Sequence, residues 1–375
     1  MAGVDLSGVA GPFEDLLALD PDGQAVRTVG LDYPGRGEDL RPLLDLDFPT
    51  RATVALAACG DYRCASVGQA LDRLADLLDL SARLRRARRI VVKVGLVEAR
   101  PPDQHVAPHP QVVAGLLDQL RRHAPPGATL CLAEGAGHER DTEYVLERTG
   151  LARVLAERDV PFVDLNVDDL VRVPVPEPVA LREFMLPRTV VEADVVVSLA
   201  KLKTHHRAGV TLGMKNLFGC VPGAVYGFPK TKLHYTGTAR AIADLASIIR
   251  PQLTVLDGVW AMEGTGPIDG RPRHVGVIIA GESAATTDAA TARLMGFSPL
   301  LIPQFWYAMD KGLLSRPELC GDPVEPYQAD FAAPDNITWL AGTASLPAAE
   351  VWALLERLLT TSRRALHKVR AGSRS

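Results

Sequence analysis

At 375 residues, with 47% hydrophobic and 23% charged residues, the chain has the balance of a globular protein, not of a disordered or fibrous one. No apolar run reaches the roughly 18 residues that span a membrane. The N-terminus Met-Ala-Gly-Val-Asp-Leu lacks the basic and apolar regions of a signal peptide, so a cytoplasmic location is expected. A net charge of −4, a pI near 6.2 and 5% aromatic residues argue against nucleic-acid binding.

Residues 1–50, rich in Asp, Gly and Pro without a sustained period, read as an N-terminal extension. Thr53–Ala58 is a short apolar strand. Ser66-Val67-Gly68-Gln69 resembles a capping box, followed by a helical stripe of Val67, Ala70, Leu71, Leu74, Leu77 and Leu78. A buried strand follows at Ile90–Val94. Pro110 opens a helix running to about Arg122. The next strand, Thr129–Ala133, ends in the loop Glu134-Gly-Ala-Gly-His138. Helical pattern covers 142–158, and Phe162–Leu165 is a strand. Strand Val195–Leu199, helix 237–249, strands Leu253–Leu256 and Val275–Ala280, and a helix capped by Ser283 and ending at Gly296 continue the rhythm. From Pro347, Val351, Leu354, Leu355, Leu358 and Leu359 fall at helical spacing, so 346–375 read as a C-terminal helix and basic tail.

Alternating β and α pattern predicts an α/β fold, Rossmann-like, with a mostly parallel sheet flanked by helices. The length admits two lobes, but no low-complexity linker divides residues 51–345, so one unit is preferred. In such sheets ligands bind beyond the C-terminal strand ends. The loops after Val94, Ala133, Leu199 and Asp257 therefore carry the expected site.

One of these regions is chemically unusual. Residues 195–243 hold no Asp or Glu, although 45 in 375 predicts about 6. They do hold Lys201, Lys203, Arg207, Lys215, Lys230, Lys232 and Arg240, with His205, His206 and His234. A local positive field in an acidic chain suits a small anionic substrate. If Ala200–His205 is extended, Lys201, Lys203 and His205 share one side, where they can meet a carboxylate or phosphate. The other reading of these lysines is that they bond backbone carbonyls at a strand exit. Lys215, in apolar company, is a candidate base or nucleophile. His205, His206 and His234 are candidate ligands for a divalent transition metal. Glu134 and Glu263, each on a glycine-containing loop, are candidate acids, bases or ligands. No P-loop, dinucleotide fingerprint or nucleophile elbow is present. The five cysteines form no Cys-x-x-Cys pair, so neither a disulfide framework nor an iron–sulfur cluster is expected.

The runs Asp194-Val-Val-Val-Ser-Leu-Ala-Lys201-Leu-Lys203-Thr-His205 and Val210-Thr-Leu-Gly-Met-Lys215-Asn216-Leu-Phe-Gly219 resemble the signature of the DUF362 family. Lys93, His109-Pro110, Glu134-Gly135, Asp257-Gly258, Glu263-Gly-Thr-Gly266-Pro267 and Asp288 also match. The resemblance covers roughly Val54–Gly312. The chain departs from it after Lys93, where Val94-Gly95 replaces the usual Pro-Asn. It also lacks the ferredoxin-like cysteines of many relatives. A more distant likeness is to lactate racemase-like enzymes that hold a nickel-pincer nucleotide. His205, Lys215, Pro222-Gly223 and His234 follow their order, while Gly137-His138-Glu139-Arg140 breaks their Gly-His-Arg turn.

Together these readings predict an enzyme acting on a small anionic metabolite by acid/base or metal-assisted chemistry: proton abstraction, elimination or isomerisation. Lys215, His205, His234, Glu263 and Glu134 would be catalytic. Lys201, Lys203, Lys93, Asn216 and Arg207 would bind substrate. The alternative is a non-catalytic binding protein for an anionic metabolite or cofactor. Expected partners are the substrate and, at most, further copies of the chain. A specialised biosynthetic pathway would suit a member without a redox domain.

Overall fold

The computed structural model describes residues 48, 50–138, 141–299 and 302–334. The expected N-terminal extension lies almost wholly outside these residues, and the expected C-terminal helix and tail lie entirely outside them.

The strands are β1 (Arg51–Ala58), β2 (Arg89–Val94), β3 (Thr129–Glu134), β4 (Phe162–Asp164), β5 (Leu170–Pro174), β6 (Glu183–Pro187), β7 (Val195–His205), β8 (Gly209–Thr211), β9 (Leu253–Glu263), β10 (Arg271–Gly281) and β11 (Arg316–Gly321). One sheet runs β11-β1-β10-β9-β7-β2-β3-β4, with β8 attached to β7, while β5 and β6 form a separate ribbon. Strands β9, β7, β2, β3 and β4 are mutually parallel. The fold is the expected α/β class with a mostly parallel sheet flanked by helices. Strand β10 departs from this pattern, pairing antiparallel with both β9 and β1.

The period of two along each strand separates two apolar layers. Val54 and Leu56 of β1, Val196 of β7 and Ile279 of β10 face one core, shared with the helices Thr238–Ile249 and Ala284–Leu294. Ala55, Ala57, Val197 and Ala280 face the other, shared with Cys64–Leu77 and Pro110–His123. Central strands covered on both sides read as apolar runs, as Val195–Leu199 does.

Several local expectations shift. The helix expected to start at Ser66 starts at Cys64, with Arg63 as an N-cap that makes no side-chain bond. Ser283 does cap its helix, accepting from the Thr286 N–H. Strand β7 runs six residues beyond Leu199, through the whole Lys-Leu-Lys-Thr-His motif. Strand β9 likewise continues past Asp257 to Glu263, so Asp257 is inside a strand, not at its exit.

Candidate active site

A cavity of about 220 Å³ opens at the C-terminal ends of β2, β3 and β7. Its walls include Gly95 and Leu96 after β2, Glu134 and Gly135 at the end of β3, and Lys201, Lys203 and His205 on one side of β7. His138, His206, Arg207, Thr211, Lys215, Asn216, Phe218, Lys230, His234 and Pro267 complete the charged and ring-bearing lining. Loops after several parallel strands therefore converge as expected, and Glu134 is the carboxylate among the described lining residues.

The floor is a buried polar network. Lys93 Nζ donates to Glu134 Oε2 at 3.0 Å, Asn216 Oδ1 at 2.9 Å and the Val94 carbonyl at 2.8 Å. Glu134 also accepts the N–H groups of Leu96 and Gly135. Asn216 donates to the Lys93 and Leu199 carbonyls and to Ser198 Oγ. Every polar group here has partners within the protein, as buried charge requires. The network needs close backbone approach. A Cβ at Gly219 would sit 1.8 Å from Glu134 Oε1, and one at Gly95 would sit 2.9 Å from Asn216 Oδ1. Gly95 thus makes room for Asn216 at the position where the family pattern has its own asparagine. Lys93 was expected to bind substrate; it lies beneath the cavity instead, and Asn216 spends its donors and its acceptor on the floor.

Lys201 is also paired, with Asp257 at 2.8 Å and the Tyr62 hydroxyl at 2.6 Å. Tyr62 stacks on His109 at 3.7 Å, and the His109 N–H caps Asp257. This pair neutralises the charge that Lys201 was expected to offer an anion. Lys203 donates to the Val106 and Pro267 carbonyls at 2.6 and 3.0 Å. The carbonyl-bonded reading of the motif lysines therefore holds for Lys203, though it has no salt bridge among the described residues and still lines the cavity.

Lys215 differs from all of these. Among the described residues its ammonium has no hydrogen-bond acceptor and no salt-bridge partner; it lies 3.7 Å above the Phe218 ring. Desolvation, then the nearby Lys93, lowers its pKa to about 7. Burial and the neighbouring Lys201 and Lys215 bring Lys203 to about 7 as well. Asp288, buried in the helix Ala284–Leu294, accepts the Gly213 and Met214 N–H groups at 2.7 Å and so orients the turn that carries Lys215.

The imidazoles have distinct faces. His205 Nδ1 accepts the Arg207 N–H at 3.0 Å. A neutral ring that accepts at Nδ1 carries its proton on Nε2, so His205 is a donor. His206 Nδ1 lies 3.0 Å from the Gly266 carbonyl, which only accepts, so there the proton is on Nδ1. Burial holds His205 well below the usual histidine range and takes His234 to about 3, with Lys215 adding to both. Both rings are neutral at pH 7.

Two expected roles do not fit. Glu263 is turned away from the cavity: it accepts from Arg273 at 2.7 Å and from the Ala332 N–H. The three histidines do not make a metal centre. No group of three or more His, Cys, Asp or Glu among the described residues is arranged to hold an ion. A metal on His205 Nε2 would also force a proton onto Nδ1, against the Arg207 N–H. Lys230 is, in the sequence, only one charge of the basic stretch, yet it lines the cavity, donates to Asn166 Oδ1 at 2.6 Å and is lowered to about 8 by burial.

The family model for a domain of unknown function, DUF362, matches residues 90–293, more than half of the chain. The chain belongs to the DUF362 family. The match takes in the floor, β7, Lys215 and Asp288. Similar proteins include the "Thylakoid-associated protein sll1697" of Synechocystis sp. (strain ATCC 27184 / PCC 6803 / Kazusa), 29% identical over 217 residues. That match covers 57% of this DUF362 chain and 65% of the relative's length. Among solved structures, the lactate racemase apoprotein from Thermoanaerobacterium thermosaccharolyticum overlaps 64% of this chain and 56% of its own, at 13% identity and a TM-score of 0.39. No helix of the described residues is long and apolar enough to cross a membrane.

Proposed function

We propose that this DUF362 protein is an enzyme that abstracts a proton next to a carbonyl or carboxylate of a small anionic metabolite, with isomerisation or elimination as the outcome. One observation carries the reading. Lys215, a lysine without an acceptor among the described residues and with a pKa of about 7, shares a cavity with an imidazole whose Nε2–H is fixed as a donor. A base with a pKa near the working pH combines adequate basicity with a populated free-base form.

The chemistry follows from these atoms. Neutral Lys215 Nζ takes the C–H proton, and the bond's electron pair moves onto the carbonyl oxygen. His205 Nε2–H donates to that oxygen as its charge grows. The Lys215 ammonium then returns the proton on the same face, to the original carbon as exchange or to a neighbouring atom as isomerisation. Where the substrate bears a leaving group on the next carbon, the electron pair expels it instead. Glu134, held by Lys93, Leu96 and Gly135, keeps the floor in place.

The test works across a whole class of compounds at once. Small hydroxy, oxo and phosphorylated acids are incubated with the protein in D2O, and loss of C–H signal is followed by NMR. Wild-type protein is expected to exchange at least one of them, and K215M to lose that exchange. Binding of such acids without any exchange would overturn the enzyme reading and leave a binding protein for an anionic metabolite.

A further inference from the structure

The cationic groups of the cavity are not gathered at one point. Lys203 stands at the β9 side of the sheet, where its ammonium leans onto the carbonyl of Pro267, which follows β9, and onto that of Val106. Lys230 stands at the β4 side, bonded to Asn166, which follows β4. Between β7 and β4 lie β2 and β3. Three strand spacings of about 4.8 Å separate the two ends by roughly 14 Å. Both lysines line the same cavity, as does Lys215, and Glu134 at the end of β3 lies between them in the order of the strands.

Each end has donors to spare. One of the three ammonium hydrogens of Lys230 goes to Asn166. At the other end, Thr211 is directly opposite Lys203 in the β7–β8 pairing, so the two side chains share a face. Thr211 is 8% exposed, lines the cavity, and its hydroxyl has no partner among the described residues. A buried hydroxyl without a partner is costly unless a ligand completes it. Lys230 is also held at φ +68°, a left-handed conformation that a side-chain-bearing residue rarely adopts. Such conformations concentrate where position serves a ligand.

We infer that the ligand of this cavity is an extended metabolite with two separate anionic groups, one held by Lys203 and Thr211, the other by Lys230. The inference rests on the anionic-substrate reading above and adds a second charge at a defined end. It also assigns Lys230 and Thr211 to ligand recognition. The bond that reacts would lie between the two charges, beside Lys215.

Calorimetric titration with acetate, succinate, adipate and suberate at pH 7 and low salt tests the inference. The diacids have the same terminal group at increasing separation. Affinity is expected to climb at least tenfold from acetate to the best diacid, and K230M and K230Q are each expected to flatten the series. Diacids of every length binding no tighter than acetate would overturn the inference, as would a series unchanged in both Lys230 variants. If neither variant folds, the wild-type series alone decides. The proton-abstraction reading fails separately. A climbing series without C–H exchange sinks the enzyme and keeps the two-ended ligand. Exchange confined to monoacids does the reverse.

Discussion

Lys93 and Lys215 belong to the same cavity and have opposite physics. Lys93 gives all three hydrogens to acceptors in the protein and is fully buried in an ion pair with Glu134. Among the described residues, Lys215 has a ring beneath it and no acceptor, and it lines the cavity. A buried charge with a complete set of partners holds a structure together. A desolvated amine without partners is a reagent. The difference teaches that a basic stretch is not a site by virtue of its charge; the accounting of acceptors decides which lysine does what. Lys201 sides with Lys93 through Asp257. Lys230, with Asn166 as its acceptor, stands between the two.

The sharpest way to break this comparison is to disturb the floor. Glu134→Ala would strand the Lys93 ammonium, and breaking a buried pair costs about 3–5 kcal/mol. Urea denaturation should show a loss of that order; a loss below about 1 kcal/mol would mean that the floor is not structural.

Lys215→Met should do the reverse. The unfolding free energy at pH 7 should not fall, since no polar partner is orphaned and the desolvation cost of the buried amine is removed. Deuterium exchange into substrate should fall by about 10²–10⁴, the usual worth of a general base. Equal exchange by K215M would move the base elsewhere.

The pH dependence sharpens the distinction further. Lys203 and Lys215 are lowered from 10.5 to about 7 in the folded protein. Between pH 7 and 10 the unfolded chain therefore binds more protons than the folded one, and stability rises with pH. Asp288, raised to about 8 by burial, opposes this below pH 8, because there the folded state holds the extra proton. Between pH 8 and 10 the melting temperature of the wild type should therefore rise, and K215M should show a smaller rise. Identical profiles would show that Lys215 titrates normally.

The smallest effect is expected at the rim. Arg207 is exposed. Arg207→Ala should slow anion association by a fewfold, and the effect should vanish above about 0.5 M salt, where screening shortens its reach. A salt-independent loss in stopped-flow binding would place Arg207 inside the site.

Much of this arrangement is legible in the sequence. The apolar runs mark the central strands, and the carboxylate-free stretch marks the cavity wall. Alternation alone places Lys201, Lys203 and His205 on one side. The partners are not legible. Asp257 neutralises Lys201 across a β7–β9 pairing 56 residues away, and Lys93 meets Asn216 across 123 residues. Nothing local distinguishes Glu134, which turns into the cavity floor, from Glu263, which turns to Arg273. The sequence marks the place of strand β10 but not its direction, because an apolar run does not say which way it pairs. Lys230 stays hidden because its role depends on Asn166, contributed by the loop after β4.

The buried lysines also have a bearing on how the chain is made. Lys201 and Lys203 are synthesised well before Asp257 and the Pro267 carbonyl that receive them. Until β9 has emerged and docked beside β7, a nascent chain that has already assembled β2, β3 and β7 would hold Lys201 without its carboxylate and Lys203 without one of its two carbonyls. Early closure around an incomplete sheet is therefore penalised.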